Sequence, residues 1–476
     1  MTLRAAVATG LLIVAAAAVS FRAVYEPDLW WHLAHGREDL AGRIVRTNVF
    51  SFTNPDYRQH FTSWLFDSAA FVAWRIGGGT AIQIVQFVLV ALTLIFIYGA
   101  ARIRAPAAAA FAVVVLAFFV IEPRASPRPH LASFAALAAC AWLIERAVAA
   151  RSAKSLWWVV PVVALWSNLH VECLFGVALL GMFAVGEALL PSALTRRESV
   201  RAVAVCAVCV VAMMANPYGV GIFTYIYENL SVPQILDIAE LRPPRWPTYR
   251  AFFVYIVLAA ILFLAQPKKL TVWEMVAAVV FAALGLRYIR LTPLLAIATA
   301  PAVAARIGAL IARGLDARAV VGVALVTGLL VSRVPPPIYA RSWRVGTDAL
   351  TPRAFFSNGS VDYMRANGLR GPVFNSMNLG GWLAWTMYPD VRVFVDSRLQ
   401  AYPPEHFLRI MESSETQGGW DALVIGADWA VVSVPRRNNL SGYGMFPSAE
   451  WATVFNDDAV EILVRRTGRY GHLARN

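Results

Sequence analysis

The chain has 476 residues, of which 59% are hydrophobic and only 15% are charged, and its mean hydropathy is +0.58. A soluble domain has about 45–50% apolar and about 25% charged residues, so this composition excludes an ordinary soluble protein and predicts an integral membrane protein. Lysine and arginine outnumber the acidic residues by 42 to 29, which in a membrane protein reflects inner loops and anionic lipid, so we expect membrane lipid and no nucleic acid as a partner.

Apolar runs long enough for a membrane span, about 20 residues each, recur along the first two thirds of the chain. They number about eleven and lie at 5–22, 80–101, 106–122, 131–149, 155–169, 173–190, 202–215, 251–266, 271–286, 291–311 and 319–333. With a cytoplasmic N-terminus, the inner turns are basic, as the positive-inside rule requires. The odd number of spans then sends the C-terminal part outside. We predict a multi-pass protein of a bacterial inner (plasma) membrane with a periplasmic or extracellular C-terminal domain.

The first outer loop, residues 23–79, is long and rich in tryptophan. It reads as two amphipathic helices, 28–42 and 62–76, joined by a turn-rich stretch around Asn54. Helices of this kind lie in the membrane interface, with their tryptophans at headgroup depth. The run GGG at 77–79 should break the second helix before the next span.

After residue 333 the composition changes, so we divide the chain into a transmembrane domain, 1–333, and a small outer α/β domain, 334–476. The runs GPVFNS, VRVFVDSR and DALVIGADWAVVSVP read as strands, and WATVFNDDAVEILVRR reads as a hairpin that turns at its Asp-Asp pair. In FVDSR, Asp396 and Arg398 lie at the carboxyl end of a strand, where ligands bind in open α/β sheets. The alternative is a structural Asp–Arg pair that ties the strand to the following loop.

Several acids and histidines reach the outer membrane boundary on this topology, where ionisable groups are costly unless they face a cavity. Glu26 and Asp28 precede His32, which lies one turn after Asp28 on the same side of the predicted helix. Later, NLHVE places His170 and Glu172 at the start of another span. Carboxylates with imidazoles can hold a divalent ion or act as a general base. The candidate metal ligands are Asp28, His32, His170 and Glu172.

Basic side chains from EPRASPRPH and RYIR reach the same boundary. Guanidinium groups suit a phosphate or pyrophosphate because they donate paired hydrogen bonds. The candidate donor phosphate-binding residues are Arg124, Arg128, His130, Arg287 and Arg290. Because separate loops send acids and arginines to one face, we expect a single cavity that transfers a group from a phosphorylated lipid.

Each of these groups also has a structural interpretation. Asp28 can cap its own helix, and the histidines can serve as hydrogen-bonding partners in the membrane interface. Arg124 and Arg128 can anchor the protein to lipid headgroups. The functional hypothesis therefore depends on the convergence of these groups, and no single motif is specific.

The segments PDLWWHLAHGR, WSNLHVE, NPYG and FVDSRLQAYP carry a resemblance to a known superfamily. Together with the first span, the long acidic first outer loop and the outer C-terminal domain, they resemble the GT-C superfamily of polytopic membrane glycosyltransferases, and within it an uncharacterised bacterial group. The resemblance covers about residues 1–330. It implies a GT-C-like fold, a polyprenyl-phosphate-linked sugar donor and a catalytic acid in the first outer loop.

By position, the acid that the resemblance implies corresponds to Asp28, with Glu26 as the second choice, and the later outer acid corresponds to Glu172. The chain lacks the adjacent Asp-Glu pair of the protein O-mannosyltransferases. It also lacks the WWDYG motif of oligosaccharyltransferases. These departures leave the donor sugar and the acceptor open.

Three functions are compatible with this pattern. The first is a glycosyltransferase that moves a hexose or pentose from polyprenyl phosphate to an acceptor at the outer membrane face, with Mg²⁺ or Mn²⁺ between Asp28 and Glu172 to stabilise the leaving group. The second is a metal-independent polymerase or ligase of cell-envelope polysaccharide. The third is a catalytically degenerate GT-C-like subunit that binds partners in a membrane complex.

Overall fold

The computed structural model is mostly helical and contains one small β-sheet. It describes residues 3–23, 26–42, 44–231, 239–267, 270–332, 344–350, 356–413, 417–424, 426–434 and 446–475. The helices of the first part of the chain are α1 (Leu3–Ser20), α2 (Asp28–Leu40), α3 (Trp64–Arg104), α4 (Ala107–Ile121), α5 (His130–Ala150), α6 (Val159–Trp166), α7 (Cys173–Leu189), α8 (Arg196–Ala212), α9 (Gly221–Ser231), α10 (Arg250–Ala265), α11 (Val272–Arg287), α12 (Thr292–Ala312) and α13 (Ala317–Val331). Each predicted span overlaps one of these helices, although α6 covers only part of the span predicted at 155–169.

Within the described ranges, four helical segments are long and apolar enough to cross a membrane, judged by length and composition. They are Trp64–Arg104, Ala107–Arg124, His130–Ala150 and Ile289–Ala312. Other apolar helices, such as Arg250–Ala265, are shorter, and a helix of that length rises less than the roughly 30 Å hydrocarbon core. The apolar helices agree with a multi-pass membrane protein, whereas the count of about eleven spans stays a prediction.

Two glycines interrupt α3 where the GGG run predicted a break. Gly77 has φ −148° and ψ 19°, and Gly78 has φ 55° and ψ −141°, so neither residue is helical. The positive φ of Gly78 is one that residues with a Cβ atom rarely adopt. The predicted break is confirmed, and it separates the amphipathic start of α3 from its long apolar part.

Contacts between residues divide the chain into two compact units. The first contains residues 1–22, 83–224 and 236–343, and the second contains residues 23–82, 225–235 and 344–476. The sequence-based division assigned the first loop to the transmembrane domain. By contacts the loop groups with the C-terminal part, because its side chains and backbone pack on the C-terminal helices and sheet, as described below.

Helix α12 forms the centre of the first unit. It packs against α4, α5, α10 and α11, and Ala296, Ala300 and Ala304 on one of its faces are fully buried. Small residues at four-residue spacing let neighbouring helix backbones approach closely, which is how membrane helices pack without a hydrophobic driving force.

The second unit contains a five-stranded mixed sheet with the strand order β2-β1-β3-β5-β4. Its strands are β1 (Gly371–Asn375), β2 (Val391–Val393), β3 (Trp429–Ser433), β4 (Trp451–Asn456) and β5 (Val460–Arg465), and its helices are α14 (Thr347–Leu350), α15 (Asn358–Ala366), α16 (Met377–Met387), α17 (Pro404–Ser413) and α18 (Gln417–Val424). Strand β1 pairs in parallel with β2 and β3, while β5 pairs antiparallel with β3 and β4.

The predicted hairpin between β4 and β5 is confirmed. Oδ1 of Asp457 accepts the backbone N–H groups of Ala459 and Val460, at 2.9 and 2.8 Å. An aspartate that binds backbone N–H groups two and three residues ahead stabilises a tight turn. The Asp-Asp pair therefore turns the chain as the sequence predicted.

Helix α2 of the first loop packs against α16 of the C-terminal part. The rings of Trp30 and Trp382 meet edge to face with centroids 4.6 Å apart. Further along the loop, Ser51 forms a parallel bridge with Val393 of β2. The loop thus extends the β2 edge of the sheet, and this packing fixes α2 relative to the segment that follows β2.

Candidate functional site

The buried face of α2 carries a stripe of titratable side chains. Asp28, His32, His35 and Asp39 follow one another at four-, three- and four-residue steps, a spacing that keeps them on one side of a helix. Asp28, His32 and His35 are buried and Asp39 is partly buried. The structure therefore brings the predicted Asp28 and His32 together with two further groups that the sequence analysis did not select.

Glu26 stabilises the start of α2. One of its carboxylate oxygens, Oε1, accepts the backbone N–H of Asp28 at 3.3 Å, and the preceding Pro27 provides no side-chain cap. A carboxylate that accepts a backbone N–H at a helix start satisfies a donor that has no partner within the helix. The capping considered for Asp28 is thus performed by Glu26.

A residue of the C-terminal part of the chain binds the carboxylate of Asp28. Ser397, which follows β2, donates its hydroxyl to Oδ1 of Asp28. Asp28 is only 8% exposed, so this contact contributes more than a surface contact would, because little water competes for it.

His32 is anchored by the first turns of α3. Its Nδ1 lies 2.7 Å from Oδ1 of Asp67, and the hydroxyl of Ser63 donates to the other oxygen of Asp67 at 3.3 Å. His32 and Asp67 are both buried. An imidazole paired with a carboxylate is fixed in tautomer and in ring orientation, which makes His32 a rigid element of this face.

Arg398, the residue that follows Ser397 in the chain, also binds α2. Its Nη1 donates to Nε2 of His35 at 2.8 Å, and its Nη2 donates to Asn48 at 2.7 Å. Asp396 accepts Nε–H and Nη2–H of Arg398 at 2.9 and 2.6 Å. Burial together with the Arg398 charge holds the pKa of His35 well below its usual value, so this imidazole is neutral. The pairing of Asp396 with Arg398 matches the structural alternative for FVDSR.

Among the described residues, one group has ligand atoms close enough to share a metal ion: His35, Asp39 and Asp67, whose atoms lie within 4.8 Å of one another. Burial, followed by the charge of Asp67, raises the pKa of Asp39 to about 7. However, Nε2 of His35 already accepts from Arg398, and the second nitrogen of a neutral imidazole carries a proton. The group is therefore less suited to an ion than its residue types suggest.

A second group of polar side chains lies in the first unit and has two arginines at its centre. Arg124 donates to both carboxylate oxygens of Glu240, at 2.7 and 3.1 Å, and Arg128 donates to Oε1 of the same residue at 2.6 Å. Burial alone would raise the pKa of Glu240, but Arg128 and Arg124 outweigh it and hold that pKa well below its usual value. Two of the predicted phosphate-binding arginines thus share one internal carboxylate.

Glu172 and Arg290 lie in the same group of side chains, which we call the arginine cluster. Its members are Arg124, Arg128, His130, Glu172, Glu240 and Arg290. Arg290 lies 3.4 Å from Oε1 of Glu172, and Nδ1 of His170 lies 3.4 Å from Oε2. Oε2 is buried, and within the described ranges it accepts no well-aligned hydrogen bond, although the imidazole of His170 lies beside it. Burial opposes ionisation, but His170 and Arg290 hold the pKa of Glu172 at about 2, so Glu172 is a carboxylate at every physiological pH.

His130 connects the two halves of the arginine cluster. Its Nε2 lies 2.6 Å from the backbone oxygen of Arg124, and His130 also contributes to the low pKa of Glu172. Arg287 behaves differently: it is exposed, and its guanidinium lies 5.0 Å from the ring centroid of Tyr288. In the part of the chain that the structure describes, Arg287 forms no ion pair with Glu172 or Glu240.

No family model and no curated protein matches the chain. Several solved structures match its fold. The archaeal oligosaccharyltransferase AglB from Archaeoglobus fulgidus, in complex with an inhibitory peptide and a dolichol-phosphate, matches with a TM-score of 0.59 and 11% identity, over 89% of this chain and 69% of that chain. The Archaeoglobus fulgidus oligosaccharyltransferase in complex with Zn and sulfate matches with a TM-score of 0.53 and 12% identity, over 89% and 68%.

ArnT from Cupriavidus metallidurans, bound to undecaprenyl phosphate, matches with a TM-score of 0.50 and 15% identity over 97% of each chain. The chain has a GT-C-like fold. The resemblance inferred from the sequence is thereby confirmed at the level of the fold. Identity this low carries no residue roles from one chain to the other, so the roles of the residues described above follow only from their own contacts.

Two important contacts of the GT-C-like chain had no signal in the sequence. Glu240 lies 116 residues from Arg124, and Ser397 lies 369 residues from Asp28. Contacts at such separations follow from tertiary packing and not from local spacing. The only hint was the FVDSR segment, which the sequence analysis selected for the charges that flank Ser397.

Proposed function

We propose that the chain is a membrane glycosyltransferase that moves a sugar from a polyprenyl-phosphate-linked donor to an acceptor at the outer membrane face. The observation that carries the proposal is the arginine cluster, in which Arg124 and Arg128 bind a carboxylate in the way that paired guanidinium groups bind a phosphate. The GT-C-like fold supports it, because solved neighbours of that fold have dolichol-phosphate or undecaprenyl phosphate bound.

In the proposed reaction, Asp28 is the general base. It takes the proton of the acceptor hydroxyl while the acceptor oxygen attacks the anomeric carbon of the sugar. The bond between that carbon and the phosphate oxygen breaks, and its electron pair leaves with the lipid phosphate. Glu26 is the second choice for the base, but its carboxylate already binds the start of α2. General-base action contributes about 10²–10⁴-fold to a rate.

Arg124, Arg128 and Arg290 are proposed to stabilise the departing phosphate, and His130, whose Nε2 lies 2.6 Å from the backbone oxygen of Arg124, is proposed to hold Arg124 in place for it. Positive groups fixed in place before the reaction stabilise a developing anion without reorganisation. Glu240 occupies the guanidinium groups of Arg124 and Arg128, so a lipid phosphate would take the place of this carboxylate. Arg287, which is exposed, stays a proposed contact of the donor phosphate.

A divalent ion, Mg²⁺ or Mn²⁺, is proposed to assist the leaving group. Asp28, His32, His170 and Glu172 are its proposed ligands, and the buried carboxylate of Glu172, which is ionised, is the kind of oxygen donor such an ion requires. Carboxylate and imidazole ligands suit such ions. The ion would supply positive charge to the phosphate, while the residues of this chain bind and orient the reactants.

A catalytically degenerate subunit is the second candidate function. The observation in its favour is the same Glu240 pairing, because a protein that binds no lipid phosphate would neutralise Arg124 and Arg128 in this way. A metal-independent polysaccharide polymerase or ligase would use the same arginines without an ion. Identification of the acceptor and of the donor sugar distinguishes these candidate functions.

The decisive experiment uses the full-length protein in nanodiscs with labelled undecaprenyl-phosphate glucose, mannose, galactose or arabinose, and measures release of undecaprenyl phosphate in the presence of a membrane extract as acceptor. We expect Asp28→Asn to lower turnover by about 10²–10⁴-fold and to leave donor binding and thermal stability unchanged. Asp56→Asn, at an exposed aspartate of the same loop, is the matched control and should retain full activity.

Two further variants, Arg128→Ala and Glu26→Gln, show which acid is the general base and whether the protein is a transferase. Arg128→Ala should weaken donor binding as well as turnover. If Asp28→Asn is active and Glu26→Gln is inactive, the base is Glu26. If both retain full activity, the transferase proposal fails and the subunit takes its place.

A further inference from the structure

We infer that Ser397 is a positioning residue, whose hydroxyl orients the carboxylate of Asp28 for the transfer reaction. The inference rests on the proposed function, because it concerns the acid to which that proposal assigns the proton transfer. It adds a residue from the opposite end of the chain, which neither the spacing of the sequence nor the fold alone indicated.

Ser397 contacts the carboxylate of Asp28 directly. The Ser397 hydroxyl donates to Oδ1 of Asp28, which is one of the two oxygens that could receive a proton. A buried carboxylate can rotate about its side-chain bonds unless a donor fixes one of its oxygens. With Oδ1 bound, rotation of the carboxylate is restricted and the directions that Oδ2 can take are narrowed, which helps to hold a reacting group within about 0.5 Å of its productive geometry.

The segment that carries Ser397 is held rigidly by buried hydrogen bonds. Asp396 accepts the backbone N–H of Arg398 at 2.9 Å in addition to its side-chain bonds, and the hydroxyl of Tyr402 donates to Asp396 at 3.0 Å. Asp396, Arg398 and Tyr402 are each at most 1% exposed. Before them, Gly380 of α16 packs so closely that an added Cβ would lie 2.2 Å from the carbonyl oxygen of Val395.

The same segment holds α2 at a second point. Arg398 binds His35, which lies seven residues after Asp28 and therefore about two turns further along the helix. Two contacts two turns apart fix the rotation of α2 about its axis as well as its position. Ser397 thus acts from a rigid base on a helix that is itself held in place.

The experiment compares the wild type, Ser397→Ala, Ser397→Thr, Asp28→Asn and the double variant Asp28→Asn/Ser397→Ala in the undecaprenyl-phosphate-sugar assay. Ser397→Ala should lower kcat about ten- to a hundredfold at an unchanged KM for the donor, which is the size of loss that follows from misplacing a reacting group by about 1 Å. Ser397→Thr keeps the hydroxyl and should restore kcat. In the Asp28→Asn background, Ser397→Ala should lower kcat no further, because the effects of two residues that act through one another are not additive.

Ser357→Ala is the matched control, because Ser357 also donates to a carboxylate, that of Asp457, and caps α15. It should lower the midpoint of thermal unfolding without lowering kcat. The inference is overturned if Ser397→Ala has wild-type kcat, if Ser397→Thr fails to restore it, or if the loss is as large in the Asp28→Asn background.

A second measurement separates this inference from the proposed function. If no undecaprenyl-phosphate sugar is turned over by the wild type, the proposed function fails, and cryo-electron microscopy of the wild type and Ser397→Ala in nanodiscs decides the positioning claim. The Asp28 carboxylate should change its rotamer in Ser397→Ala. An unchanged carboxylate refutes the inference independently of any activity.

Discussion

Arg128 donates to Oε1 of Glu240 at 2.6 Å, and the same oxygen accepts from Arg124 at 2.7 Å. One internal carboxylate therefore occupies two guanidinium groups that are suited to a phosphate. A carboxylate and a phosphate cannot use the same donors at the same time, so the arginine cluster should respond to changes at Glu240 in a predictable direction.

We expect Glu240→Gln to tighten the binding of undecaprenyl phosphate about fivefold, because it removes a competing partly exposed ion pair worth roughly 1 kcal/mol. The same change should lower the thermal stability of the lipid-free protein, since Arg124 and Arg128 lose their partner. The apparent Kd in nanodiscs measures the first effect. Glu450→Gln, at an exposed glutamate, is the control, and equal or weaker binding by Glu240→Gln would show that the phosphate does not use these arginines.

The low pKa of Glu172 predicts how stability depends on pH. The folded protein holds this pKa at about 2, below the usual 4.5, so the stabilisation is fully present above about pH 4.5 and is lost as the pH falls toward 2. The linked free energy is roughly 3 kcal/mol at most. The difference in unfolding midpoint between the wild type and Glu172→Gln should therefore shrink between pH 6 and pH 3, and a constant difference would contradict the assignment.

The pairing of Asp396 with Arg398 predicts an asymmetric response to mutation. Arg398→Met leaves the buried Asp396 carboxylate without its cation and should destabilise the protein by about 3–5 kcal/mol. The double variant Asp396→Asn/Arg398→Met removes both charges and should be less destabilised than Arg398→Met alone. The midpoint of thermal unfolding in detergent measures the stability of both variants. A double variant that is less stable than Arg398→Met would refute the prediction.

Metal removal tests the proposed divalent ion. We expect EDTA to lower donor turnover and Mn²⁺ or Mg²⁺ to restore it, with the response lost in Glu172→Gln. If Asp39→Asn abolishes the response instead, the ion is bound by His35, Asp39 and Asp67. Turnover that is unaffected by EDTA would remove the ion from the mechanism and favour a metal-independent enzyme.

The predicted topology has a simple test. A fluorescent protein that matures only in the cytoplasm should be dark when it is fused after Asn476, and alkaline phosphatase fused at the same place should be active. The reverse result would put the C-terminal domain inside, and the acids of the first loop could not then meet an acceptor at the outer face.

Local patterns predicted much of the fold. The apolar runs marked the helices of the membrane part, the GGG run marked the break at Gly77 and Gly78, and the Asp-Asp pair marked the hairpin. These features depend on residues close together in the chain, where periodicity and turn chemistry apply.

The partners of the site residues could not be predicted in the same way. Asp28 was selected as an acid near the boundary, but its contact with Ser397 and the contact of Arg124 with Glu240 depend on how distant segments pack. The grouping of the first loop with the C-terminal part is hidden for the same reason, because α2 is amphipathic whether its buried face meets lipid or the helix α16. A single sequence reports which face is apolar and not what covers it.

The 369 residues between Asp28 and Ser397 also set an order of events during biosynthesis. The ribosome makes α2 first and the segment that holds its carboxylate among the last, so the acid leaves the translocon long before its partner exists. A nascent or truncated chain that ends before β2 contains Asp28 and all the predicted metal-ligating and phosphate-binding residues, yet it lacks Ser397, which holds the Asp28 carboxylate. Under the proposed function, we therefore expect a chain that is still being inserted to consume no lipid-linked sugar until its last third has been made.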